Sequence, residues 1–244
     1  MNLIICLHGI LGGTKGKNGK GDTLQPKLLY EHISEQIIET NKDYFNKIDI
    51  VIHSWSHKQK DKILEEYKPT NYEIVEQKEF TKTGDNRKFS KLYSLFESIK
   101  LIEQVTDDDI IFSTRFDNFY KEKIVFEDIN RYLIMNKVLF PGDPHNWSVY
   151  NDRRLQDLFF IAKYQVLKNV FTEKNYKNVT SLMKNKDSSC FCDNGGRQLD
   201  NHSIIRTVFE DNDIHRLDNY RSMDRKNRDK PYEVSTWRNY KKTG

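Results

Sequence analysis

Residues 2–9 read NLIICLHG, and the fold turns on that stretch. Leu3 to Leu7 are apolar without a break, and two of them are β-branched. An amphipathic helix or a half-solvated strand would show polar residues at its own period. An unbroken apolar run of this length suits a strand buried on both faces, as in a parallel sheet. His8 and Gly9 end the run. A Gly-rich loop follows, with Gly12, Gly13, Gly16, Gly19 and Gly21 interleaved with Lys15, Lys17 and Lys20. Asp22 or Thr23 is then placed to cap a helix with Pro26 in its first turn. The expected apolar face of that helix is Leu28, Leu29, Ile33, Ile37 and Ile38.

Working outward, Lys47 to Trp55 (KIDIVIHSW) reads as a second strand, with a short segment from Tyr72 to Val75 beyond it. Ser90 to Gln104 predicts a helix with Leu92, Leu95, Phe96, Ile99 and Ile102 on one side. Asp107 to Asp109 punctuate the chain. Asp109 to Ser113 predicts a strand that delivers Arg115, Phe116 and Asp117 at its end. A strand is expected over Ile134 to Phe140, an amphipathic helix over Leu155 to Val170, and a further helix over Ser203 to Asp211. Alternating strands and helices are the pattern of an open, mostly parallel sheet with helices on both faces. No internal repeat or linker interrupts it, so one α/β domain over residues 1–244 is expected, with 221–244 as a basic C-terminal tail.

With 40 basic and 36 acidic residues the net charge is +4, a near-balanced surface that does not suit a dedicated nucleic-acid binder. The tail reads either as a solvated segment or as one that folds over a phosphate-bearing ligand. Cys6, Cys190 and Cys192 make no disulfide framework. Cys6 reads as buried. Cys190 and Cys192 with His202 lack a fourth zinc ligand at suitable spacing. The N-terminal apolar run has no basic flank or cleavage site, and no run is long enough to span a membrane. A cytoplasmic protein with no membrane span is the expectation, and the sequons at Asn146, Asn178 and Asn201 then read as chance matches.

In such sheets ligands bind at the carboxyl ends of the strands. Three ends stand out: His8-Gly9, His53-Ser54-Trp55 and Arg115-Phe116-Asp117. Asp117 reads either as a turn or ion-pairing residue or as a carboxylate that holds a divalent cation on a leaving diphosphate. Trp55 is placed either to stack on a base or sugar ring or to pack on a neighbouring helix. No G-x-x-x-x-G-K-[ST] and no G-x-G-x-x-G is present, so the Gly-rich loop is not a P-loop. It reads as a loop whose amides and lysines approach phosphates, or as a surface loop alone. LHG is similar to the oxyanion-hole segment of α/β-hydrolases, but no G-x-S-x-G elbow supplies a nucleophile. Asp157 and, in PGDPHNW, Asp143 are candidates for an acceptor-side general base.

These pieces together resemble the GT-A-type glycosyltransferases of large DNA viruses and bacterial surface-polysaccharide clusters. The matching motifs are Asp49-Ile-Val-Ile-His53-Ser54-Trp55, a Ser-containing helix from Lys91 to Gln104, an apolar strand ending in Arg115-Phe116-Asp117, and Asp157-Leu158-Phe159 in place of D-Q-F. They run from about residue 48 to residue 211. The resemblance implies a single Rossmann-like domain. It also implies transfer of a sugar from a nucleoside-diphosphate sugar to an acceptor hydroxyl on a glycan, assisted by Mn²⁺ or Mg²⁺. Asp117 would be the metal ligand, standing for the last Asp of D-x-D, with Arg115 in the first position. His8, Gly9, His53, Ser54, Trp55 and Arg115 would hold the nucleotide. Asp157, with Asp143 as fallback, would be the base of an inverting reaction. Two other readings stay open: an α/β-hydrolase-like esterase, and a non-catalytic sugar-nucleotide-binding module.

Overall fold

The computed structural model describes residues 1–10, 26–80, 86–116, 118–142, 155, 158–184, 201–221 and 234–236. Within them the strands are β1 (Leu3–Gly9), β2 (Ile48–Ser54), β3 (Asn71–Ile74), β4 (Ile110–Arg115), β5 (Asn118–Tyr120), β6 (Val138–Gly142), β7 (Phe159–Lys163), β8 (Ile214–Arg221) and β9 (Val234–Thr236). The helices are α1 (Pro26–Ile33), α2 (Glu39–Asn41), α3 (Lys60–Tyr67), α4 (Asn86–Lys100), α5 (Phe126–Ile134), α6 (Tyr164–Val170), α7 (Glu173–Lys184) and α8 (Asn201–Val208).

Seven strands form one sheet in the order β3-β2-β1-β4-β7-β6-β8, and β5 pairs with β9 in a second, two-stranded sheet. β1 pairs in parallel with both β2 and β4, and β6 with β8, while β7 runs antiparallel to β4 and β6. Side chains alternate across the pleat, so each central strand feeds two cores. Leu3, Ile5 and Leu7 of β1 join Ile110 and Phe112 of β4 and Phe159 and Ile161 of β7 on one face, under α1, α3 and α5. Ile4 and Cys6, Ile111, Phe160 and Ala162 join the other face, under α4, α6, α7 and α8. Being buried on both sides is what makes NLIICLH read as an unbroken apolar run. Cys6 is fully buried, as its neighbours require.

Helix α4 lies against β1 and β2 through Ser90, Ser94 and Ser98, all buried. Small side chains four residues apart fall on one face of a helix and let it approach the sheet closely. The predicted apolar residues Leu92, Leu95, Phe96 and Ile99 fill the core beside this stripe.

Three expectations change. The stretch Leu155 to Val170 is not one helix: Phe159–Lys163 is a strand, and the helix starts at Tyr164. A short apolar run such as LFFIA fits either element by period alone, and pairing with β4 decides it. The expected helix opening at Asp157 lies outside the described residues, and the chain that follows it enters a strand. Ile134 ends α5 and is 64% exposed; the strand begins only at Val138, after Asn136 turns the chain with φ 57. Leu28 lies outside the buried face of α1, where Leu29, Ile33 and Ile37 form the stripe. Within the basic segment 221–244, Val234–Thr236 form a short strand paired with β5.

Helix α1 continues through a π-turn over Ser34–Ile38 into α2. Such a turn releases carbonyls from the regular ladder. Gln36 O accepts the Ile124 N–H at 3.1 Å instead. Asn41, at the end of α2, donates from Nδ2 to Ile37 O and Ile124 O at 2.7 Å each and accepts the Phe126 N–H at 2.9 Å. Val125, the N-cap of α5, makes no side-chain cap bond, so Asn41 serves a first-turn amide of α5 from a distant element. Asn41→Ala would strand the buried Phe126 N–H and Ile124 O. It is expected to lower the stability of the chain by about 2–4 kcal/mol in urea unfolding.

Candidate functional site

The strand order reverses direction between β1 and β4: β2 and β3 lie on one side of β1, and β4 lies on the other. In open α/β sheets the crevice outside the strand ends at this point is where ligands bind. His8 pairs in register with His53 of β2 and with Arg115 of β4, and Gly9 pairs with Ser54. The sequence-predicted residues His8, Gly9, His53, Ser54 and Arg115 are thus brought to one edge. Asp117, Asp143 and Asp157 lie outside the described residues. Phe116 and Asn118, which flank Asp117, are both buried at the end of β4, as is Leu158, which follows Asp157.

The edge is knitted together by buried polar groups. Ser94 Oγ of α4 accepts the Gly9 N–H at 2.8 Å, contacts His53 Nδ1 at 2.8 Å and donates to His53 O at 3.2 Å. Gly9 O accepts the Ser54 hydroxyl at 3.0 Å and the Trp55 N–H at 3.1 Å. Gly9 has φ +97, a conformation that glycine adopts without a steric penalty as the chain leaves the strand. The Trp55 ring is buried, with its indole N–H on Ser90 O at 3.2 Å. It stacks on Tyr93 with 5.7 Å between centroids and meets His53 edge-on at 4.9 Å. Its contacts are internal packing contacts, and His53 and Ser54 are fully buried beside it.

One arrangement here has the composition of a hydrolytic triad. Ser94 touches His53 Nδ1, and His53 Nε2 lies 3.6 Å from Glu73 Oε2. The geometry does not serve a nucleophile, because Ser94 is fully buried within α4 and its oxygen is occupied by the Gly9 N–H. An attacking serine needs an exposed oxygen at a strand-to-helix elbow.

On the α4 and α8 face of the sheet, the edge opens into a narrow cleft whose enclosed space, about 20 Å³, is that of a single water. Leu92 and Leu95 of α4, Phe160 of β7 and Ile204 of α8 supply apolar walls. His8 and Ser113 contribute its polar lining, and Lys88 and Lys91 of α4 also line it. His8 Nδ1 and Ser113 Oγ are buried and have no hydrogen-bond partner. Burial holds the His8 imidazole neutral, lowering its pKa well below 6.5, with Lys91, Arg115 and His53 adding to the effect. Buried polar atoms are rarely left unpaired, and a bound water or a ligand atom at the floor of the cleft would pair these two. Ser113 carries a sequence signal that was passed over: it is a lone hydroxyl in the apolar strand DIIFS. Ser94 is the middle of the Ser90, Ser94 and Ser98 stripe of the predicted helix, while the two lysines carry no such signal, since their place comes from how α4 lies on the sheet.

Among the described residues no group of three His, Cys, Asp or Glu side chains gathers to hold a metal ion. No helix among the described residues is long and apolar enough to cross a membrane.

No family profile and no curated protein matches the sequence. Solved structures do match in shape. The galactosyltransferase LgtC, in complex with donor and acceptor sugar analogs, aligns at a TM-score of 0.56 and 9% identity, covering 97% of this chain and 87% of that one. The chain has a GT-A-like fold. Looser alignments reach mouse xyloside xylosyltransferase 1 in its apo form and 4-diphosphocytidyl-2C-methyl-D-erythritol synthase from Anaerococcus prevotii. The first has a TM-score of 0.49 at 8% identity and covers 97% of both chains. The second has a TM-score of 0.46 at 13% identity and covers 89% of this chain and 88% of that one.

The buried histidines give this edge a pH signature. His53 is lowered to about 4, first by burial and then by Lys78, against the opposing pull of Glu97. His32, whose Nε2 accepts the Tyr120 N–H at 2.8 Å, is lowered by burial to about 4. In each the folded state favours the neutral ring, while the unfolded chain takes up protons near the ordinary value of 6.5. Their contribution is complete above pH 6.5 and is lost as pH falls from there to about 4. Urea midpoints should be flat above that range and fall through it. His32→Gln, which keeps an acceptor for Tyr120 but does not titrate, should fall less steeply.

Proposed function

We propose that the chain transfers a glycosyl group from a nucleoside-diphosphate sugar to an acceptor hydroxyl. The observation that carries this reading is the cleft at the reversal between β1 and β4, with His8 Nδ1 and Ser113 Oγ unpartnered in its lining. A ligand whose hydrogen-bonding edge reaches the floor of this narrow cleft would pair both atoms between apolar walls. Lys88, Lys91 and Arg115 bring positive charge to the same edge, which suits a diphosphate. The GT-A-like fold agrees with the reading.

In this proposal the backbone of His8 and Gly9 forms the floor under the nucleotide. His53, Ser54 and Trp55 act from beneath, holding that floor through Ser94 and the Gly9 carbonyl. Asp117 would hold Mn²⁺ or Mg²⁺, which neutralises charge on the departing diphosphate. Asp157 would accept the proton of the acceptor hydroxyl if the reaction inverts at the anomeric carbon, with Asp143 as the fallback base. A neutral His8 can accept or donate a hydrogen bond without placing a positive charge against the base.

The test is the melting temperature of the chain with a panel of sugar nucleotides, with and without Mn²⁺. A ligand that binds only the native state raises it by mass action. One nucleotide should stabilise the wild type in a metal-dependent way, and Asp117→Ala should lose the metal dependence. Binding without any turnover by the wild type would favour the non-catalytic module, and no shift with any nucleotide would remove the reading. Ser113→Ala separates ligand binding from folding. Removing an unpartnered buried hydroxyl should leave the ligand-free melting temperature unchanged or higher, while nucleotide affinity falls by about tenfold.

A further inference from the structure

Asn118 opens β5 and is 1% exposed. Its Nδ2 donates to Leu158 O at 2.5 Å and to Thr114 Oγ1 at 2.8 Å. Thr114 Oγ1 also bonds the Tyr120 hydroxyl and makes a longer bond, 3.4 Å, to Leu158 O. The ladder between β4 and β7 begins at the pair Thr114 and Phe159, so the Leu158 carbonyl stands one residue beyond the last rung. At Phe116 the chain turns out of β4, and the Asn118 side chain supplies the donor that strand backbone no longer offers there. An amide nitrogen has two hydrogens, one for each acceptor; a carboxylate would set oxygen against oxygen.

The two segments joined by this side chain carry the carboxylates of the proposed reaction. Asn118 follows Asp117 in the chain, and Leu158 follows Asp157. We propose that Asn118 is a positioning residue that holds the donor-side segment leaving β4 in register with the acceptor-side segment entering β7. The inference rests on the transferase reading. In transfer, the anomeric C–O bond to the diphosphate breaks and the diphosphate leaves with the electron pair. A bond forms to the acceptor oxygen, and the acceptor proton passes to the base. In hydrolysis, water takes the acceptor's place. Transfer depends on the distance between the two segments far more than attack by a small, freely placed water does.

The experiment uses the full chain as wild type, Asn118→Ala, Asn118→Ser and Thr114→Val. The donor is the sugar nucleotide that stabilises the wild type, and methyl glycosides serve as acceptors. Two quantities are read: the nucleotide-induced melting shift, and the ratio of transfer to donor hydrolysis, which does not depend on how much of a variant is folded. Both Asn118 variants should keep the nucleotide shift while the ratio falls by about tenfold or more. Thr114→Val, which removes the long 3.4 Å bond to Leu158 O but leaves the 2.5 Å bond from Asn118, should lower the ratio less than either Asn118 variant. An unchanged ratio in the Asn118 variants, or loss of the nucleotide shift along with activity, would overturn the positioning role and leave the transferase reading standing. A wild type that neither binds nor turns over any sugar nucleotide would remove both.

Discussion

Strand β1 is hydrogen-bonded in parallel to β2 on one side and to β4 on the other. Parallel neighbours cannot be joined by a tight turn, so each connection must cross a face of the sheet. The crossovers place α1 on one face and α4 on the other, and both faces of β1 are sealed. The same constraint brings the carboxyl ends of β1, β2 and β4 to one edge. His8, Gly9, His53, Ser54 and Arg115 meet there because their strands start together, not because they are close in sequence.

That edge differs from the rest of the interior. Elsewhere the central strands present Ile, Leu, Phe and Val to both cores. At the edge they present His8, His53, Ser113, Thr114 and Asn118, all buried. Some of these groups are satisfied by specific partners: Ser94 ties α4 to two strands at once, and Asn118 joins β5 to β7. Others, His8 Nδ1 and Ser113 Oγ, are left without a partner beside an open cleft. A buried polar atom without a partner costs stability. Its presence at the point where the sheet topology invites a ligand fits the trade between stability and function expected of a binding site.

The long periodic and apolar runs were legible. β1, β2, β4, α4 and the helix after the Gly-rich loop lie where their patterns place them, because burial on two faces, or on one helical stripe, writes itself into residue order. Short elements were not. Phe159–Lys163 was read as part of a helix, since its four consecutive apolar residues carry no period of their own and only pairing with β4 and β6 makes them a strand. Helices α5 and α7 carry a helical stripe that was passed over, as at Phe126, Ile129 and Leu133 of α5, while strands β5, β8 and β9 left no comparable mark. Of the candidate site, the strand ends could be named in advance. The packing of Trp55 against Tyr93 and His53 could not, because nothing in KIDIVIHSW says which way an aromatic ring at a strand end will turn.

Sequence alone determined that the chain is an α/β protein with β1 at the heart of a mostly parallel sheet, because an unbroken apolar run has few places to go other than between two layers of helices. Tertiary structure decided which polar side chains share a site. His8, Ser113 and Lys91 lie far apart in the chain and meet in one cleft; Ser94 becomes the link between β1 and β2; Asn118 reaches Leu158. The physical reason is that burial leaves its trace residue by residue, whereas a hydrogen bond or a shared cavity depends on strand register and helix placement, and those are settled only when the whole sheet has formed.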